Sequence, residues 1–257
     1  MKVFQKVFAE IKSIGAVLVI FLFTCDVVAQ NAADIVKKAD DNMRGENSQA
    51  ELLMITSRAT WSREMAVKTW MKGSEFALIL IQSPAKDKGI VFLKRGKEVW
   101  NWIPAIERVI KLPPSMMSQS WMGTDFTNDD LVKESSVVED YEHTIIGDTI
   151  IQNKPCFIIQ MIPKPETAVV WSKLVVCIDK KDFLELYTKF YDEDGRVVNI
   201  MNAYDIKEMD GRLIPTHFEM IPMDKKNQKT EIIYKRVIFN RTINNGFFTL
   251  NQMKHLN

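Results

Sequence analysis

The sequence predicts a mainly β protein, an antiparallel meander of roughly eleven or twelve strands curled into a barrel or half-barrel, with an N-terminal helix and a short helical lid. Three observations predict it. From residue 48 onward short apolar runs with strand-like alternation follow one another almost to the end of the chain. Turn signals punctuate them, at Arg95-Gly96, Asn153-Lys154, Asp194-Gly195 and Asp210-Gly211. Asp-Gly between alternating runs is a strong hairpin signal, because tight hairpin turns require positive φ. Composition does not shift along this stretch, so a single domain over 30–257 is expected.

The elements follow in order. Lys2, Lys6 and Lys12 precede an apolar run, Ile14–Phe23, and Val27-Val28-Ala29 offers a cleavage site. This is the layout of a secretory signal peptide over 1–29, its apolar run being far short of the roughly 20 residues that span a bilayer. A periplasmic mature chain is expected. A lipid anchor on Cys25 is less favoured, because Thr24 before it is a poor fit for lipid attachment. Ala32–Met43 reads as a helix, with Ile35, Val36, Ala39 and Met43 on one stripe, ending at Arg44-Gly45. Ala50–Trp61 and Arg63–Lys72 form a hairpin turning at Ser62. Glu75–Ser83 is apolar on both faces, which implies cover on both sides. Ile90–Leu93 and Glu98–Ile103 pair next, and Trp100 and Trp102 share a face. Pro104 ends that strand, and Pro113-Pro114 closes Glu107–Leu112.

A different texture follows. Met116, Met117, Trp121, Met122 and Phe126 are large and apolar, yet lie among Ser, Gly, Asp, Thr and Asn. Two readings are open: a flap laying soft side chains over a cavity, or a plug in an ordinary core. Asp129–Glu134 reads as a short helix capped by Asp125 or Thr127, with Asp129-Asp130 serving the helix terminus rather than forming a carboxylate dyad. Strands resume at Tyr141–Gly147, Thr149–Gln152, Cys156–Ile162, Val169–Asp179, Phe183–Tyr191, Arg196–Tyr204, Asp205–Met209, Arg212–Met220 and Thr230–Phe239, with Phe247–Leu250 as a closing strand. Cys156 and Cys177 fall on neighbouring strands, either as a disulfide or as two buried thiols.

Charge and chemistry narrow the function. The chain carries 34 Lys+Arg against 33 Asp+Glu, so nothing electrostatic points to nucleic acid. His143, His217 and His255 have no partner at metal-ligand or triad spacing. There is no Gly-rich phosphate loop and no nucleophile elbow. Asp192-Glu193-Asp194-Gly195 lacks the downstream acidic ligand of a calcium loop. Neither metal, cofactor nor enzymatic activity is expected. What remains is an apolar supply of 6 Trp and 14 Met, suited to an apolar cavity. A ten-carbon stretch of acyl chain buried there would gain roughly 8 kcal/mol before entropy costs. The candidate lipid-contacting residues are Trp70, Phe76, Leu78, Leu80, Trp100, Trp102 and Ile110 on the strands. Met116, Met117, Trp121, Met122 and Phe126 join them from the flap.

Several segments together resemble a known family. They are Trp70-Met71-Lys72, the strand pair Trp100-Asn101-Trp102-Ile103-Pro104-Ala105-Ile106-Glu107-Arg108-Val109, and Ser118-Gln119-Ser120-Trp121-Met122-Gly123-Thr124-Asp125-Phe126 running on to Asp130-Leu131. With Asp210-Gly211-Arg212-Leu213-Ile214-Pro215 they resemble the LolA-like outer membrane lipoprotein-sorting family. The resemblance implies a half-open β-barrel around a hydrophobic cavity. It also implies a periplasmic, monomeric carrier that shields a lipid acyl chain or lipoprotein on the way to the outer membrane. An inner-membrane transporter would then be the donor and an outer-membrane receptor the acceptor. The alternative it allows is a sensor or accessory subunit of a lipid exporter with a membrane-protein partner. LolA holds its lid with an arginine after its W-x-K strand. Gly73 stands nearest to that position here, and Arg108 is the candidate lid contact.

Overall fold

Thirteen strands form one antiparallel sheet in the computed structural model, which describes residues 31–133, 136–165 and 167–256. The expected signal peptide and Cys25 lie outside the described residues. Strands β1 (Asn47–Ser57), β2 (Ser62–Lys72), β3 (Phe76–Ser83), β4 (Val91–Arg95), β5 (Glu98–Ile103) and β6 (Arg108–Leu112) march outward in sequence order. The chain then crosses to the opposite edge. It returns inward through β7 (Tyr141–Ile151), β8 (Lys154–Pro163), β9 (Lys173–Asp179), β10 (Glu185–Tyr191), β11 (Val197–Met209), β12 (Arg212–Pro222) and β13 (Lys229–Phe239). β13 pairs with β1, from Ser48↔Phe239 to Ser57↔Lys229. The two edges of this open, barrel-like sheet are therefore β6 and β7, consecutive in the chain and farthest apart in the sheet.

The count exceeds the expected eleven or twelve, and two expected breaks do not occur. Tyr141–Ile151 stays one strand because a bulge between Ile145 and Gly147 absorbs the irregularity. Val197–Met209 runs through Asp205, whose left-handed backbone (φ 52°) is held by the Thr216 hydroxyl donating to its carbonyl at 2.7 Å. The Asp210-Gly211 turn forms as expected. Both residues have positive φ (47° and 77°), and Met209 pairs with Arg212 across it. The first hairpin turns at residues 58–61 rather than at Ser62, closed by the Arg58 N–H donating to the Trp61 carbonyl at 2.9 Å.

Helix α1 (Ala32–Arg44) starts at Asn31, whose side chain accepts the Ala33 N–H, and ends where the Gly45 N–H donates to the Asp41 carbonyl. Its buried residues Ala32, Ile35, Val36 and Ala39 pack on the inner face of the sheet, over β7, β9 and β12. Two strand turns tether it. Asn42 donates to the carbonyls of Asp182 and Leu213, and Arg212 donates to that of Asp41.

β3 has a core on each side, as its two apolar faces imply. Ile79 and Ile81 join the inner cluster, whereas Leu78 and Leu80 join an outer one. That outer cover comes from the C-terminal segment. Phe247–Leu250 is not a strand: a 3₁₀ turn (Asn245–Phe247) leads to helix α2 (Leu250–His255), capped by the Thr249 hydroxyl accepting the Gln252 N–H at 3.1 Å. Ile243, Phe248 and Met253 bury themselves against Leu78, Leu80, Val91 and Leu93. The Phe248 ring lies 5.3 Å from Phe76, and Phe247 lies 5.5 Å from Trp70. The apolar run reads like a strand, but the outer face it must cover is already bounded by the β3–β5 hairpins, so it docks as a helical flap.

The β8–β9 register sets Cys156 opposite Asp179 and Cys177 opposite Ile158, so the two thiols sit diagonally on one face. Both are free and buried with Leu184 and Leu186. Burial first, and Cys156 second, push the Cys177 thiol up to about 11, leaving it protonated at neutral pH.

Removing the fully buried Phe248 ring is expected to destabilise the fold by about 3–5 kcal/mol (Phe248→Ala). Ile150→Ala, at a position 70% exposed, should stay within about 0.5 kcal/mol. Urea unfolding of the two variants checks both.

Candidate functional site

A cavity of about 280 Å³ opens on the inner face beneath α1. Helical periodicity turns Val36, Ala39 and Met43 toward it. Strand periodicity brings Leu174 and Val176, Met161, Phe190, Met201, Phe218 with Met220, and Ile232 with Tyr234 onto its floor and walls. Trp171 and Phe126 complete the lining. Trp171 packs edge-on against Phe190, with ring centroids 5.2 Å apart.

The charged exceptions to this apolar lining are four carboxyls and one guanidinium, with Asn42, Thr188 and two tyrosines as neutral polar groups. Asp130 opens the π-helical turn Asp129–Lys133 through a reciprocal cap. Its N–H donates to the Thr127 hydroxyl at 3.1 Å, and its Oδ2 accepts the Thr127 N–H at 2.8 Å. Its Oδ1 accepts the Trp171 Nε1–H at 2.7 Å. Burial lifts this carboxyl to about 6, even though the Thr127 and Trp171 donors favour its charged form. Glu185 is also raised by burial, against a hydrogen bond donated by the Thr188 hydroxyl. Asp40 pairs with Arg44 one helical turn later at 3.0 Å. Tyr141 is held well above the usual phenol range by burial and by Asp129 and Asp130, so it stays neutral.

Beside the cavity the crossing segment fills the rest of the interior. Met117, Trp121 and Phe126 are buried in the inner cluster, and Trp121 packs on Phe92 with centroids 5.5 Å apart. Arg58 and Thr230 fasten it. The Arg58 guanidinium donates to Asp125 Oδ2 at 2.9 Å and to the Gly123 carbonyl at 3.0 Å. The Thr230 hydroxyl donates to the same Asp125 oxygen at 2.7 Å and accepts the Asp125 N–H at 3.0 Å. Arg63 donates to the Met122 carbonyl. The expected cap Asp125 is thus an ion-pair partner, and Thr127 takes the capping role.

The expected lipid-contacting residues divide between the two faces of the sheet. Trp70, Phe76, Leu78, Leu80, Trp100 and Trp102 belong to the outer cluster under the C-terminal segment and do not border the cavity. The shared face of Trp100 and Trp102 is real, but it is the other face. Ile110 is 41% exposed on the edge strand β6, and Arg108 is exposed beside it, away from the fastening made by Arg58. Met116 and Met122 are partly buried against the inner cluster. Of the twelve, Phe126 alone lines the cavity. The geometry brings forward Asp130, Trp171, Glu185 and Thr188, which are not among the residues that the sequence suggested for lipid contact. The T-x-x-D spacing of Thr127 and Asp130 marked the helix start but not that its carboxyl faces a hollow. Among the described residues no group of three or more His, Cys, Asp or Glu is placed to hold a metal ion, and no helix is long and apolar enough to cross a membrane.

An open antiparallel sheet curled around an apolar hollow, with an N-terminal helix laid inside, defines the LolA-like fold. Three crystal structures share it at full length. A DUF1329 family protein from Desulfovibrio piger matches with a TM-score of 0.79 at 21% identity, covering 86% of this chain and 97% of its own. A domain described as an outer membrane lipoprotein-sorting protein, from Vibrio parahaemolyticus, matches at 0.78 and 21%, covering 87% and 98%. A LolA superfamily protein from Nitrosomonas europaea matches at 0.77 and 19%, covering 87% and 100%. A family profile carrying the description "Uncharacterized protein" matches residues 73–255. The chain belongs to the family of that profile, and it shares the LolA-like fold of the three structures. No curated protein matches it in sequence.

Two outcomes follow from the site. Arg58→Ala leaves Asp125, 2% exposed, without its cation and is expected to cost about 3 kcal/mol in urea unfolding, whereas Arg108→Ala should change little. For Asp130 the folded carboxyl titrates near 6 against an ordinary 3.8. Between those values the unfolded chain gives up a proton that the folded chain keeps, so this group lowers stability as pH rises through that window. By pH 7 the loss is about 3 kcal/mol. Asp130→Asn lacks this slope, and the stability difference between variant and parent should shift by about that amount in the variant's favour from about pH 3 to pH 7.

Proposed function

We propose that this protein is a periplasmic carrier that shields an acyl chain in the cavity beneath α1 during transport toward the outer membrane. The single observation that carries the reading is a hollow of about 280 Å³ walled mainly by Leu, Val, Phe, Met, Ile and Trp side chains. That volume equals the share of about nine water-sized groups. It suits a segment of one chain rather than several chains side by side. Burying nine methylenes would contribute roughly 7 kcal/mol before the costs of association. No catalytic step is assigned to Asp130 or Glu185. A lipoprotein fits the reading if one of its chains enters. An inner-membrane donor and an outer-membrane acceptor are the partners such a carrier requires.

Entry would proceed by release of the crossing segment. Two features favour a closed state that can give way. Met122 is held at φ 51°, a conformation that costs a side-chain-bearing residue roughly 1 kcal/mol or more. The Trp121 Nε1–H is buried with no acceptor among the described residues, and an unmade hydrogen bond of that kind costs about 1–3 kcal/mol. Opening would withdraw Trp121 and Phe126 and extend the hollow toward β4.

A second reading, a sensor or accessory subunit, draws on the edge strand β7. Among the described residues it pairs with β8 alone, and it carries exposed Ile145, Ile146 and Ile150. An exposed edge can accept a partner strand. Stable co-purification with a membrane protein would favour that reading over a carrier.

Native mass spectrometry of the protein recovered from its own periplasm tests the carrier directly, since a bound lipid is then expected on part of the population. Ala39→Phe, which projects a ring into the hollow, should abolish binding of a fluorescent acyl probe, and Trp100→Ala should leave it unchanged. Trp121→Ala and Met122→Ala should alter probe uptake. Identical uptake in both would sink the moving segment.

A further inference from the structure

The cavity's polar groups are unevenly signed. Among the described residues that line it, four carry carboxyls (Asp40, Asp129, Asp130 and Glu185) and one, Arg44, carries a cation. Arg44 is committed to Asp40, with Nη2 at 3.0 Å and Nε at 3.3 Å from its oxygens. The next cation on α1, Lys38, is exposed and stands over the Phe183 ring at 4.7 Å.

The groups that donate to Asp130 and Glu185, both half-buried, are all neutral. Asp130 accepts from the Thr127 N–H and the Trp171 indole, and Glu185 Oε1 accepts from the Thr188 hydroxyl. Among the described residues no donor reaches Glu185 Oε2. An ionised carboxyl has acceptor capacity for about four hydrogen bonds. This one is half-buried and borders the hollow, so an entering donor can meet its spare capacity.

We propose that the cavity selects amphiphiles whose polar group is a cationic amine, received by Glu185 and Asp130, over amphiphiles of equal chain length that end in a carboxylate or phosphate. This rests on the reading of the hollow as an acyl-chain site and adds the chemistry of the head group. An ammonium brings three donors to acceptors that lack cations. An anion brings a like charge into an enclosed space that already holds carboxyls, and can enter only if they take up protons. A hydroxyl lies between the two, donating one hydrogen bond without charge.

The test is calorimetric titration of the mature chain at pH 7 with decylamine, decanol and decanoate, each kept below its micellar concentration. The expected order is amine, alcohol, carboxylate, with at least about tenfold between the ends, the scale of one charge-assisted hydrogen bond. Glu185→Gln, nearly isosteric, should reduce decylamine affinity by about the same factor and leave decanol unchanged. Equal affinity for all three, or decanoate binding tightest, overturns the head-group selection and leaves the acyl-chain reading standing. Loss of decylamine affinity no greater than that of decanol in Glu185→Gln also overturns it. Failure of all three ligands to bind overturns both. Should Glu185→Gln not fold, the order measured on the parent protein decides.

Discussion

The pairing of β13 with β1 governs the rest of the architecture. It joins the last strand to the first, so neither lies at an edge and the sheet grows outward from the middle in both directions. The edges are then β6 and β7, and the residues between them must travel from one side of the sheet to the other. They take the inner route. A chain that crosses an apolar concavity has to present apolar side chains to it, while satisfying its own backbone polar groups in short turns. The mixture of Met, Trp and Phe with Ser, Asp, Thr and Asn is what that route demands.

The same constraint divides the interior. The crossing segment fills the space near β4 and β5, and α1 covers the space near β7, β9 and β12. The hollow is what neither fills. Its walls inherit apolar strand faces, and its polar groups are those that terminate the covering elements: Asp130 at the π-turn and the Asp40–Arg44 pair on the last turn of α1. Glu185 stands at the start of β10. Element ends are where backbone groups and charges must be accommodated, so a hollow bounded by element ends acquires polar groups without losing its oily walls. Neutral donors meet two of them, Asp130 and Glu185.

Flap and plug are alternatives at the level of sequence, and the fold shows the segment packed into the interior. Trp121 and Phe126 are as buried as any core residue. The segment that carries them is fastened by side chains, among them Arg58, Arg63, Asn199, Thr230 and Trp171, and among the described residues its own strand pairing is a single bridge from Ser120 to Thr127. Burial says how well a side chain is packed in the closed state. The number and kind of ties decide how readily the segment leaves it.

Much of this was legible in the residues. The stripe of Ile35, Val36 and Ala39 determined a helix with one buried face, and the two apolar faces of Phe76–Ser83 determined a strand covered on both sides. Asp210-Gly211 determined a tight hairpin, and several segments, Ser118 to Phe126 among them, carried a resemblance that the shared fold bears out. Local sequence fixes such features because helix and strand periods, turn dihedrals and capping are settled within a few residues. It could not say which of two covered faces encloses the hollow. Trp70, Trp100 and Trp102 alternate correctly, yet whether their side of the sheet meets α1 or the C-terminal Phe247 and Phe248 depends on the sense of curl and on the docking of segments far away in the chain. Tertiary structure alone decided that, and with it the placement of Asp130, Glu185 and Trp171 around one cavity, because contacts between distant segments leave no period in the sequence.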